Sequence, residues 1–141
     1  MWNHEHRIET DTSPASIWAQ YADVSTWPGW NPGTGSVDLE GTFRTGARGV
    51  LTSLEYGPTP FTLVEVIEHE GFTMETQVDA HVVLRSSCRV TALPGDGSRI
   101  VHRSELSGQG SEQLGSAIGP AIAKNLAEGA QALVAASGAA A

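Results

Sequence analysis

The sequence predicts an α+β domain, a curved antiparallel sheet of about seven strands wrapped around a long C-terminal helix, with two short helices after the first strand. Three observations predict it. From residue 36 to 107 the chain reads as consecutive β-rich segments punctuated by glycine and proline turns. After Gly108-Gln109-Gly110 the texture changes to small and aliphatic residues at helical spacing. Ahead of the sheet, Ser13-Pro14 opens a short run that places Ile17, Trp18 and Tyr21 on a helical period.

The elements come in order. A first strand is predicted over 4–11, where Ile8 is the one strong β-former. Ser13 suits an N-cap, and Pro14 suits the first helical position because its missing N–H would be unpaired there anyway. Asp23-Val24-Ser25-Thr26-Trp27 starts a second small helix that Pro28-Gly29 stops. Strands are expected over 36–40, 49–56, 61–68, 72–78, 81–93 and 99–107, bounded by Gly41, Gly46, Gly57-Pro58 and Gly71. Pro94-Gly95-Asp96-Gly97 reads as a hairpin loop, since Gly and Asp tolerate the positive φ it needs. Thr59-Pro60 and Gly33-Thr34-Gly35 read as loops at a cavity entrance.

Ser111 is the expected N-cap of the last helix, with Glu112 near its positive end. Leu114, Ile118, Ile122, Leu126 and Leu133 fall near one face, with Ala130 between them. Pro120 is expected to kink or break this helix. Gly115, Ala117, Gly119, Ala121 and Ala123 would let it lie close to the sheet, and residues 137–141 read as a frayed tail.

Composition bounds the function. A chain of 141 residues fits a single domain spanning 1–141. An apolar fraction of 40% with 17% charged residues is ordinary globular composition. Net charge is −8 and Lys124 is the only lysine, which disfavours nucleic acid and anionic membrane surfaces as partners. Cys88 is the only cysteine, so no intrachain disulfide and no cysteine-based zinc cluster can form. The polar start, Met1-Trp2-Asn3-His4-Glu5-His6, lacks a signal peptide's apolar stretch, and no apolar run approaches the roughly 20 residues of a membrane span. The expectation is a soluble, cytoplasmic protein without membrane insertion, monomeric or homodimeric.

A sheet that wraps strongly round one helix leaves a pocket between them, apolar with a few placed polar groups. Strand alternation says which residues face it. Leu84, Ser86, Cys88 and Val90 form the inward set of one strand, and Ile100, His102, Ser104 and Leu106 that of the next. Phe72, Met74 and Thr76 look inward, while Glu75, Arg85, Arg89, Arg103 and Glu105 look outward. The candidate wall for a hydrophobic small-molecule ligand is Trp30, Phe72, Met74, Thr76, Leu84, Ser86, Cys88 and Ser104, with Ile122 and Leu126 from the helix. Trp27 is expected rather to plug one end of the sheet.

Within that wall His102 is the titratable candidate, either a general acid/base or a histidine hydrogen-bonded in the core. Ser86 and Ser104 either bind a ligand carbonyl or make room for the helix. Cys88 reads as a small buried hydrophobe rather than a nucleophile. His4 and His6 share a strand face, but a pair without further ligands does not make a metal site, and none is expected. No cofactor is expected. Alternation does not assign faces to Arg48 and Glu55.

Several of these segments carry a resemblance. Ser13-Pro14-Ala15-Ser16-Ile17-Trp18, then Asp23-Val24-Ser25-Thr26-Trp27-Pro28-Gly29-Trp30-Asn31-Pro32, resemble the opening of polyketide cyclase/dehydrase-like proteins of the START-like, or helix-grip, superfamily. Val64-Glu65-Val66-Ile67-Glu68, Cys88-Arg89-Val90-Thr91-Ala92-Leu93 and Ser98-Arg99-Ile100-Val101-His102-Arg103 fit the same pattern. The resemblance implies a helix-grip fold and a hydrophobic ligand. It leaves three functions open: a cyclase/dehydratase on a polyketide-like substrate, a carrier or sensor, or a chaperone-activator-like interaction domain. Aromatic cyclases of the superfamily carry an interior arginine on a middle strand. Here residues 61–68 contain none, so Arg48 or Arg85 would have to supply it.

Overall fold

The computed structural model describes residues 1–139. A first strand β1 (Trp2–Thr10) leads into helix α1 (Pro14–Ala22), where the Ser13 hydroxyl accepts the Ser16 N–H as the expected cap. The Asp23 carboxylate caps a single 3₁₀ turn, Val24–Thr26, and the four-residue helix α2 (Trp27–Trp30) comes next. Six more strands succeed one another: β2 (Thr34–Leu39), β3 (Arg48–Ser53), β4 (Gly57–Ile67), β5 (Gly71–Gln77), β6 (Val82–Ala92) and β7 (Ser98–Gly108). Helix α3 (Ser111–Ala139) closes the domain.

All seven strands form one antiparallel sheet in the order β1-β7-β6-β5-β4-β3-β2. Neighbours in sequence pair as hairpins, and β1 alone returns across the molecule to the last strand. One face of the sheet turns to α3, α1 and α2. There Ile17, Tyr21, Trp27, Phe61, Leu63, Phe72, Ile100 and Leu133 are buried. The expected hairpin between β6 and β7 has Gly95 and Asp96 at positive φ, and the Leu93 N–H bonds the Gly97 carbonyl at 2.9 Å.

Several boundaries differ from expectation, each for a physical reason. Strand β1 begins at Trp2 because that indole has a seat on α3. A Cβ at Gly115 or Gly119 would lie 2.4 or 2.9 Å from it, so only glycine leaves room. Strand β4 begins at Gly57 and runs through Pro58 and Pro60. It pairs there with β3 only, since its register with β5 starts at Thr62↔Glu75. An edge tolerates a residue that cannot donate. Thr59-Pro60 is therefore strand, not loop, and Thr34 is the buried first residue of β2. Glu55 lies in the exposed turn between β3 and β4.

Helix α3 starts one residue earlier than expected. The Gly110 carbonyl accepts the Leu114 N–H at 3.0 Å, so Ser111 is not the cap but the buried first helical residue. The helix runs unbroken through Pro120, which is exposed, as is Ser116, whose carbonyl loses its N–H partner to the proline. Nor does it fray at 137: Ser137 is fully buried and its hydroxyl donates to the Leu133 carbonyl at 2.7 Å. Residues 140–141 of the expected tail lie outside the described residues. No helix among the described residues is long and apolar enough to cross a membrane.

Candidate functional site

Alternation along β5, β6 and β7 builds the inner wall of a cavity from cross-strand rows. In register, Thr76 faces Leu84, Met74 faces Ser86 and then Ser104, and Phe72 faces Cys88 and then His102. Ile122 and Leu126 of α3 and Trp30 of α2 complete a cavity of about 270 Å³. All ten wall residues named from the sequence, and His102, border this one space. Trp27, Asn31, Leu51, Thr59, Ser87, Asn125 and Gly129 also line it.

The aromatic end is closely packed. Trp27 is fully buried and stacks on Phe72, with ring centroids 5.1 Å apart and planes at 17°. Its indole N–H donates to the Tyr21 carbonyl at 3.0 Å. The Trp30 indole donates to the Thr26 hydroxyl at 3.3 Å. Trp27 is thus both plug and wall: it fills one end of the sheet and borders the cavity.

The polar groups lie together on β6 and β7. The Ser86 and Ser104 hydroxyls are 3.2 Å apart. His102, only 3% exposed, has Nε2 2.9 Å from the Tyr21 hydroxyl. Burial, and then the neighbouring His6 across β1, hold the His102 imidazole down at about 4, so it is neutral at physiological pH. Burial pushes the Cys88 thiol up to about 12, which keeps it protonated and a poor nucleophile. The Tyr21 hydroxyl is raised well above its ordinary value, chiefly by burial and then by Cys88. Tyr21 was not visible as a site residue in the sequence. Its helical spacing marks it as core, and nothing local shows that α1 brings it to a strand 81 positions away.

Among the described residues no Asp, Glu, Lys or Arg lines the cavity. Arg48 is exposed on the opposite face of the sheet, beside Asp38, Glu40 and Glu75 around an open groove of about 570 Å³. Arg85 pairs with Glu75 on that same face. Neither enters the interior, so the arginine implied for an aromatic cyclase has no counterpart among the described residues. His4 and His6 sit on the inner face of β1, and no group of three or more His, Cys, Asp or Glu gathers with them among the described residues.

A curved sheet and a long helix closed on a largely apolar cavity with a few placed polar groups define a helix-grip domain. The sequence profile of the polyketide cyclase/dehydrase and lipid transport family matches residues 1–138, and the chain belongs to that family. No curated protein matches it in sequence. Among solved structures it is similar to a hypothetical protein from Helicobacter pylori, with a TM-score of 0.79 and 14% identity over 96% of this chain and 88% of that one. It is similar to norcoclaurine synthase from Thalictrum flavum, with a TM-score of 0.70 and 18% identity over 94% of this chain and 91% of that one. Against the di-domain ARO/CYC BexL the TM-score is 0.72 at 17% identity, over 91% of this chain and 45% of that one. At such identities the likeness is one of fold.

Proposed function

We propose that this protein binds a hydrophobic small molecule in the cavity between sheet and α3 and acts on it as a cyclase/dehydratase-like enzyme. The observation that carries the reading is His102, a titratable group bordering a largely apolar space that no charged side chain lines among the described residues. A neutral imidazole there can exchange a proton with, or polarise, a ligand oxygen. Tyr21 engages Nε2, so a bond from the ring to a ligand would use Nδ1. The walls would hold the substrate in a reactive pose. Cys88 takes no part, because its thiol stays protonated.

A second reading, a carrier that binds without transforming, is favoured by one observation. Among the described residues, no carboxylate or arginine lines the cavity to work beside His102. A filled interaction domain fits less well, since the interior is open. The test is native mass spectrometry of wild type and His102→Gln after incubation with neutral polyketide-like and lipid ligands. Conversion by wild type that stops in the variant supports the enzyme. Unchanged ligand held equally by both supports the carrier and removes His102 from the mechanism.

A further inference from the structure

The cavity wall has a chemical bias that narrows the ligand to one class, a narrowing that rests on the binding role just proposed. The cavity's size falls just below the roughly 300–1,000 Å³ of drug-sized sites, too small for a long acyl chain with a headgroup. Trp27 and Phe72 stack nearly parallel, and Trp30 adds a third ring, so one end is bounded by flat surfaces. With no charged side chain on the wall among the described residues, an ionised ligand would lose its hydration and find no counter-charge there.

Three polar groups of the inner wall, Ser86, Ser104 and His102, can donate to a ligand oxygen. Two hydroxyls bonded to each other, as Ser86 and Ser104 are, leave one O–H proton free for a third group. The Tyr21 hydroxyl has one proton and two neighbours, His102 Nε2 at 2.9 Å and the Arg89 carbonyl oxygen at 3.4 Å. The shorter contact is the stronger bond whichever atom donates, and the place of the imidazole's proton fixes its direction. If Nε2 accepts it, the single proton of the neutral imidazole sits on Nδ1, and the free nitrogen is a donor.

We propose that the cavity selects an uncharged, planar ligand of one or two rings that presents a carbonyl oxygen to His102 Nδ1–H and the Ser86–Ser104 hydroxyls. Tyr21 is the positioning residue that makes His102 a donor.

Three probes of one shape test this by titration calorimetry at pH 7.5: 2-acetylnaphthalene, its alkene analogue 2-isopropenylnaphthalene, and 2-naphthoate. The ketone should bind about tenfold more tightly than the alkene. The carboxylate should bind at least about a hundredfold more weakly than the ketone. Equal binding of ketone and alkene, or tight binding of the carboxylate, overturns the selection while leaving the binding role intact. Binding of none of the three overturns both. In ¹⁵N-labelled protein His102 should carry its proton on Nδ1, and a proton on Nε2 overturns the role of Tyr21. Tyr21→Phe should move the proton toward Nε2 and erase the ketone's advantage while leaving the alkene's affinity. Equal weakening of both ligands means Tyr21 is merely structural and overturns its role. Should Tyr21→Phe fail to fold, the wild-type tautomer decides.

Discussion

Alternate residues of β6 and β7 serve opposite environments. Outward, Arg85 pairs with Glu75, Arg89 with Glu65, and Arg103 with Glu105, all partly in water. Inward, the positions between them are Ser86, Cys88, His102 and Ser104, together with Leu84, Val90, Ile100 and Leu106, and carry no charge. A step of one residue along the strand crosses from one regime to the other. Outward pairs are cheap to keep and cheap to lose, because water takes over their solvation. Inward polar groups have no such reserve, so their number is small and each needs a partner.

The largest break of this contrast should come from the inner face. Phe72→Ala removes the ring stacked between Trp27 and the strand wall. It should destabilise the fold by about 3–5 kcal/mol in denaturant titrations.

Next comes pH. The folded state refuses a proton at His102 until about pH 4, whereas the unfolded chain accepts it near 6.5. Above about 6.5 neither state is charged there. As pH falls toward about 4 the unfolded chain takes up the proton first, so stability should drop by about 3 kcal/mol and then level off. His102→Gln should flatten that part of the curve, and an unchanged slope would assign it to other groups.

The smallest effect belongs to the outer face. A double-mutant cycle on Arg85 and Glu75 should return a coupling of about 0.2–1 kcal/mol that shrinks with added salt. A coupling as large as the Phe72 effect would erase the contrast between the faces.

How much of this was legible depends on the same periodicity. The two-residue alternation of β6 and β7 put Leu84, Ser86, Cys88, His102 and Ser104 on one face without knowledge of any partner, and they do meet at one cavity. What alternation cannot carry is contact between distant elements. Tyr21 reads as a core residue of α1, and only the packing of that helix against β6 and β7 makes it the partner of His102. Leu51 and Thr59 escaped because β4 was expected to begin after the prolines, which hid their pairing across the hairpin. Trp2 escaped because the inward residues after it, His4 and His6, are polar and mask the strand's buried side. Its seat at Gly115 and Gly119 pairs the two ends of the chain. Local propensity did locate that stretch of small residues in α3, but not what lies against it.

The return of β1 across the sheet has a consequence for how the molecule is made. From β2 to β7 each strand finds its neighbour by zipping up a short hairpin as it emerges, a local and rapid event. β1 has no such neighbour. Trp2 must wait for Leu106, and then for α3. Closing so long a loop is slow, and until it happens β7 shows a bare edge. The edge of β7 is therefore the part of the sheet most open to misassociation until β1 docks on it.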